Sequence, residues 1–118
     1  MSKRLPRPDE LVVESRKLTD YLLCESHPDG ASKAKFFVGV GFDVDDAGVL
    51  GEALTQHGRT RDVVEASATG FGMKYVVQCS LITPDERNPC IRSIWIAEGS
   101  EAPRLVTAYP NGDEKFRA

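Results

Sequence analysis

The spacing of apolar residues changes along the chain, and this change predicts where helices give way to strands. In the first half, apolar residues recur three and four positions apart, which is the spacing of one helix face. In the second half they alternate with polar residues, as in a half-buried strand. Helices followed by a run of strands predict an α+β fold.

Three helices are predicted before residue 58, each with a polar residue near its start and an apolar stripe. They span residues 15–24, 33 to about 40, and 43 or 45 to about 57. We expect Ser15 and Ser32 to cap the first two, because a serine oxygen accepts a hydrogen bond from a first-turn N–H group. Gly41 and Gly58 mark the ends of the second and third helices.

Four strands are predicted after residue 61, joined by short turns. They span residues 62–68, 73–81, 90–97 and 104–109. Short turns favour antiparallel pairing of consecutive strands, so we expect a four-stranded meander with the three helices on one face. Simple alternation along the last strand would place Leu105, Thr107 and Tyr109 on one face.

The chain of 118 residues is long enough for one core, so a single domain covering residues 1–118 is expected. Residues 1–10 and 111–118 show no periodicity and are expected to be flexible tails, the first of them alternatively an extended arm. Residues 11–13 are a candidate short edge strand.

Charge and cysteine content exclude several classes of protein. Fifteen Lys and Arg against 18 Asp and Glu give a net charge of −3, so a generally basic nucleic-acid surface is absent, although a local basic cleft is not excluded. No apolar run approaches the roughly 18 residues of a membrane helix, and no signal segment is visible, which predicts a cytoplasmic protein without a membrane partner.

Cofactor and metal motifs are missing from the sequence. The three cysteines lack CxxC spacing, and no phosphate-binding loop or dinucleotide fingerprint occurs, so no cofactor and no metal site are expected. If the loop after the second strand is symmetric, Cys79 and Cys90 become cross-strand neighbours, either as small sheet residues or as a redox pair.

Five residues form the candidate catalytic set for metal-independent RNA cleavage. Such a reaction needs a proton acceptor, a proton donor and cations for the phosphate charge. His27 could serve as the base or the acid, and Lys33 lies in the first turn of the second helix, where N–H groups also favour an anion. Arg92, Thr107 and Tyr109 would complete the set if the sheet brings them near that helix.

Each candidate also has a purely structural interpretation. A histidine before proline is typically a solvated turn residue, and a helix lysine is typically solvated. Arg92 is a candidate cross-strand charge partner and Tyr109 a candidate sheet-face residue. His57 near a helix C-terminus is explained by the helix dipole alone.

Three stretches, taken together and in order, resemble the DUF6883 family of small bacterial proteins and domains without an assigned activity. They are HPDGASKAKFF with the following GF at 41–42, GMKYVV at 72–77, and RSIWI at 92–96 with PRLVTAYP at 103–110. The likeness spans about residues 5–110. The layout is also similar to that of the barnase–EndoU–colicin–RelE ribonucleases, many of which are toxins.

The resemblance implies a ribonuclease-toxin-like domain that acts on RNA and has a cognate antitoxin or immunity protein. The alternatives are a non-catalytic module that binds another protein and a degenerate relative that has lost activity. The net charge of −3 favours the binding module, because a ribonuclease without sequence preference benefits from a positive field. An exposed sheet edge would also allow a homodimer.

Overall fold

The computed structural model describes residues 3–28 and 31–111, and it confirms the α+β order of helices followed by strands. Four antiparallel strands form one sheet in sequential order. They are β1 (Asp62–Thr69), β2 (Gly72–Ser80), β3 (Cys90–Ala97) and β4 (Arg104–Pro110). Each strand boundary lies within one residue of its prediction, because β2 alternates regularly and turn-forming residues such as Gly70, Pro89 and Gly99 separate the strands.

The helices precede the sheet and pack on one of its faces. They are α1 (Ser15–Lys17), which continues as a π-helical turn (Leu18–Leu22), α2 (Ala31–Gly39) and α3 (Ala47–Thr60). Short 3-10 turns at Pro8–Glu10 and Val44–Asp46 precede α1 and α3. None of the helices in the described segments has the length and apolar character needed to cross a bilayer.

The predicted serine caps are both wrong. Glu14 holds the N-cap position of α1 without a side-chain hydrogen bond, and Ser15 is already helical. Ser32 is the second residue of α2, because the helix begins at Ala31, whose N–H donates to the His27 carbonyl at 3.0 Å. The third helix begins at Ala47, later than the predicted 43 or 45, because Asp43 caps the 3-10 turn Val44–Asp46 instead: its carboxylate accepts a hydrogen bond from the N–H of Asp45 at 2.9 Å.

The core lies between the helices and one face of the sheet. Its largest fully buried side chains are Trp95 from β3 and Phe37 from α2, and α3 contributes Leu50 and Leu54. Aromatic side chains of this size bury 150–250 Å² each, so they supply a large share of the hydrophobic stabilisation. On β3 the core-facing residues alternate with Arg92 and Ile94, which belong to the opposite face.

A bulge in β4 changes which residues share a face. Trp95 pairs with Leu105, but Ile94 pairs with Thr107, so Val106 is the additional residue. Leu105 and Ala108 therefore belong to the core, whereas Thr107 and Tyr109 line the edge of β4 that meets the first turn of α2. The expected grouping of Leu105 with them is wrong, because a bulge reverses the alternation beyond it.

The register between β2 and β3 separates the two strand cysteines. Cys79 pairs with Ile91, and Cys90 pairs with Ser80, so the symmetric-loop prediction is wrong by one residue. Because neighbouring register positions face opposite sides of a sheet, the two thiols point away from each other. Both are exposed and neither forms a disulfide.

The N-terminal segment is an arm packed on the fold rather than a flexible tail. The Lys3 carbonyl accepts a hydrogen bond from the Val63 N–H at 2.9 Å, and Leu5 is 2% exposed. The edge strand expected at residues 11–13 is reduced to one parallel bridge between Val12 and Arg104. Of the second expected tail, residues 111–118, the structure describes Asn111, whose N–H donates to the Cys90 carbonyl at 2.9 Å; residues 112–118 lie outside the described residues.

Candidate functional site

Tyr21 lies where the π-helical turn meets the edge strand β4. Its hydroxyl is 3.0 Å from the Thr107 hydroxyl oxygen, so the two form a half-buried hydrogen bond between the helical layer and the sheet. The His27 ring meets the Tyr21 ring edge-on, with centroids 5.0 Å apart and an interplanar angle of 81°. Tyr21 thus connects the candidate histidine to a candidate strand residue.

Two lysines approach the same aromatic ring. The Lys17 ammonium lies 5.3 Å and the Lys33 ammonium 5.5 Å from the Tyr21 ring centroid. These are distances at which a cation is attracted to the ring face. We call Lys17, Tyr21, His27, Lys33 and Thr107 the Tyr21 cluster; it concentrates positive charge beside the edge strand in a protein whose net charge is −3.

A small cavity opens between the first turn of α2 and β4. It has a volume of about 200 Å³ and is lined by Ser32, Lys33, Thr107 and Tyr109; we call it the β4 cavity. Pockets for whole small molecules usually measure roughly 300–1,000 Å³. The β4 cavity instead suits one phosphate-sized group. The positive end of the α2 dipole and the Lys33 ammonium both favour an anion there.

Arg92 is the direct cross-strand partner of Tyr109. Side chains in such pairs have Cβ atoms roughly 4.5–5.5 Å apart, but Arg92 is not one of the residues that line the β4 cavity. On its other side Arg92 donates from Nε to the Gln78 amide oxygen at 3.0 Å. This neutral partner holds the arginine side chain without neutralising its charge. The charge partner expected for Arg92 is thus replaced by an amide.

His27 faces a different cavity from Lys33. That cavity, of about 450 Å³, is lined by two basic and two acidic side chains together with Tyr21 and His27. We call it the α1 cavity; its charged lining residues are Glu14, Arg16, Lys17 and Asp20. The five predicted site residues are therefore divided. Lys33, Thr107 and Tyr109 share the β4 cavity, Arg92 is the cross-strand partner of Tyr109, and His27 lines the α1 cavity with Tyr21.

The described segments contain no group of three or more His, Cys, Asp or Glu side chains that could hold a metal ion.

The sequence of the whole fold matches one family. The family model for the domain of unknown function DUF6883 matches residues 4–112. This chain belongs to the DUF6883 family. The family assignment covers both the α2 region and β4, and hence every residue of the β4 cavity.

A solved structure shares this fold at low sequence identity. It is titled "Contact-dependent growth inhibition toxin - immunity protein complex from Klebsiella pneumoniae 342". The match has a TM-score of 0.65 and 22% identity, and it covers 85% of this chain and 99% of the matched chain. At that identity the likeness establishes the fold alone. Among curated proteins, no sequence matches this chain significantly.

Sequence reasoning missed the central role of Tyr21 in this DUF6883 domain. With Leu18 and Leu22, Tyr21 falls on the apolar stripe of the first predicted helix, and its ring does pack against the core. Its hydroxyl, however, reaches Thr107, a residue 86 positions later. The sequence offered one signal for this hydrogen bond: a tyrosine stands at an apolar position where a leucine would pack equally well, and a buried tyrosine hydroxyl usually has a partner.

Sequence reasoning also missed a buried network around His57. This histidine, near the end of α3, is 2% exposed. Its Nε2–H donates to the Cys79 carbonyl at 2.9 Å, which leaves Nδ1 to accept from the Ser93 hydroxyl at 2.9 Å. The Trp95 indole N–H donates to the same hydroxyl oxygen at 2.8 Å. Burial lowers the pKa of His57 to about 4, so the ring is neutral and structural rather than a solvated dipole partner.

Proposed function

We propose that this DUF6883 domain is a toxin-type ribonuclease that cleaves RNA with its own cationic and hydroxyl side chains. The observation that carries the proposal is the meeting of Lys33, Thr107 and Tyr109 at one phosphate-sized cavity, with Arg92 beside Tyr109. These residues come from distant parts of the sequence. Their convergence supports a shared ligand, because a packed core requires neither lysine nor arginine at a cavity.

The reaction needs no co-reactant. The 2′-hydroxyl of one nucleotide attacks the adjacent phosphorus and gives up its proton to a base, while an acid protonates the departing 5′-oxygen. The products are a 2′,3′-cyclic phosphate and a 5′-hydroxyl end. Negative charge grows on the phosphate oxygens at the transition state, where Lys33 and Arg92 would stabilise it.

The remaining roles are assigned as part of this proposal. Thr107 and Tyr109 would donate hydrogen bonds to phosphate oxygens in the β4 cavity. His27 would accept the 2′-hydroxyl proton and pass it to the departing 5′-oxygen, so the scissile nucleotide would lie over the Tyr21 ring, which His27 and Lys33 both approach. A path across an exposed surface suits a single-stranded polymer better than a small substrate.

The test uses purified protein, total RNA and matched variants. Lys33→Ala should lower the cleavage rate roughly 10²–10³-fold, as expected for loss of a group that stabilises transition-state charge. Lys35→Ala is the matched control, because Lys35 is exposed on the same helix and does not line the cavity. His27→Ala should lower the rate roughly 10²–10⁴-fold.

A second control pairs the two arginines of the sheet. Arg92→Ala should impair cleavage, whereas Arg104→Ala should not, since Arg104 is engaged with Glu14 at 3.7 Å and Glu98 at 3.5 Å. Intact RNA at high protein concentration would overturn the proposal. Equal cleavage by Lys33→Ala, Lys35→Ala and the unaltered protein would indicate a contaminating nuclease.

A non-catalytic protein-binding module is the alternative, favoured by the net charge of −3. The structural neighbour comes from a complex whose title names both a toxin and an immunity protein. A binding module would leave RNA intact and form a stable complex with a partner protein, so gel filtration of the complex beside the RNA assay separates the two functions.

A further inference from the structure

A second surface surrounds Phe42, and the residues that line it differ in type from those of the Tyr21 cluster. Two cavities share Phe42 as a lining residue, one of about 660 Å³ against α3 and one of about 420 Å³ against α2. Neither is lined by any residue of the β4 cavity. We call the two together the acidic groove, for the charges described below.

The groove carries much of the exposed apolar surface of the described segments. In the described segments as a whole, eight large apolar side chains are more than one third exposed, and four of the eight line the groove. These four are Val38 (43%), Val44 (45%), Val49 (44%) and Ile82 (59%). Apolar side chains scattered singly are ordinary, but a contiguous patch with a polar rim marks an interaction site.

The charges on this groove have a single sign. Its lining includes four carboxylate side chains and, within the described segments, no lysine, arginine or histidine. The carboxylates are Glu25, Asp43, Asp46 and Glu52. A ligand that buries the valines must therefore meet negative charge around its edges.

This charge pattern selects among occupants. Nucleic acid is disfavoured, because its phosphates would face carboxylates. A second copy using the same groove is also disfavoured, since a two-fold interface would bring the four carboxylates of one groove against the same four of the other. An apolar segment flanked by lysines or arginines satisfies both the valines and the carboxylates.

We propose that the acidic groove docks a partner protein through a basic, apolar segment, separately from the cationic site. The groove lies between the exposed side of α3 and the loop that follows β2, which is the arrangement that accepts an amphipathic helix. The apolar face of that helix covers Val49 and Ile82, and its basic residues pair with Asp46 and Glu52.

The probe is a pair of labelled amphipathic peptides of ~12 residues, roughly three helical turns, with the same leucines. One carries lysine and arginine at its polar positions and the other glutamate. Fluorescence anisotropy should show binding of the basic peptide and none of the acidic one. Glu52→Lys should weaken the basic peptide about tenfold or more, since a rim attraction becomes a repulsion.

Glu65→Lys is the matched charge reversal, because Glu65 is exposed on β1 and lines neither cavity. Glu65→Lys should change the affinity for the basic peptide by less than about twofold. Equal binding of both peptides, or binding of neither up to about 1 mM, would overturn the proposal. So would equal effects of Glu52→Lys and Glu65→Lys.

Two further results would assign the groove to another occupant and overturn the partner proposal. The first is a dimer in sedimentation velocity that Glu52→Lys abolishes. The second concerns residues 112–118, which include Lys115, Phe116 and Arg117 and match the stated chemistry. If removal of residues 112–118 raised the affinity for the basic peptide more than about tenfold, this segment of the chain would be the occupant of the acidic groove.

Discussion

The hydroxyls of Tyr21 and Thr107 lie 3.0 Å apart and tie the helical layer to the edge strand of the sheet. Around this bond the molecule arranges a histidine, two lysines and a small cavity. The bond is half-buried, and its loss would leave one hydroxyl without its protein partner.

The coupling between these two hydroxyls can be measured with a double-mutant cycle. Tyr21→Phe and Thr107→Val should each lower the free energy of unfolding by about 1 kcal/mol, the usual net value of such a bond. The double variant should lose less than the sum of the two, because one interaction is removed twice. Urea denaturation of the four proteins gives the coupling energy. Strict additivity would show that the hydroxyls do not interact.

The buried His57 makes stability depend on pH. Its folded pKa of about 4 lies below the ordinary value of 6.5, so below pH 6.5 the unfolded chain binds a proton that the folded chain rejects. This contribution to stability is complete above pH 6.5 and is lost as the pH falls towards 4, by about 1.4 kcal/mol per pH unit.

The control for this dependence is His57→Gln, which cannot titrate. Its stability should be lower at pH 7, because the hydrogen bonds to Ser93 and Cys79 are disturbed, but it should fall less steeply between pH 6.5 and 4.5. Nitrogen chemical shifts of the unaltered protein should show Nε2 protonated and Nδ1 unprotonated at pH 7. Parallel stability profiles for the two proteins, or a charged ring at pH 6, would contradict the assignment.

Two glycines of α3 should respond in opposite directions to the same substitution. A Cβ at Gly58 would lie 2.6 Å from Cζ2 of Trp95 and 3.0 Å from Cδ1 of Leu11. Gly58→Ala should therefore destabilise the protein by about 1–3 kcal/mol through overpacking.

At Gly48 no atom lies within 4 Å of an added Cβ. Gly48→Ala should raise stability by about 0.5 kcal/mol, because alanine loses less conformational entropy on folding. Thermal unfolding of both variants is the measurement. A stabilising Gly58→Ala would show that Trp95 and Leu11 do not pack on the α3 backbone.

Cys79 and Cys90 should not form an intramolecular disulfide. Their side chains point to opposite faces of the sheet, and a disulfide needs Cβ atoms roughly 3.5–4.5 Å apart. Mass spectrometry after mild oxidation should therefore find no peptide linking Cys79 to Cys90 within one chain. Such a link in the folded monomer would show that the β2–β3 register is shifted by one residue.

The candidate site was accessible to sequence reasoning only in part. The residue types of Lys33, Arg92 and Tyr109 indicate affinity for phosphate, but their proximity depends on register. Hydrogen bonds between strands, not local preferences, set Arg92 opposite Tyr109. The division between His27 and the other candidates depends on where Tyr21 packs, which is a tertiary contact.

The sequence alone determined the order, type and near-exact bounds of the strands, because two-residue alternation and short turns are local properties. It located the three helical segments but neither the serine caps nor the first residues of α2 and α3, since a cap depends on which N–H groups already have partners, as Ala31 has in His27. The tertiary structure alone decided the bulge at Val106, the neutral His57 network and the acidic groove around Phe42. Each of these depends on contacts between residues far apart in the chain, where packing and long-range hydrogen bonds outweigh local propensity.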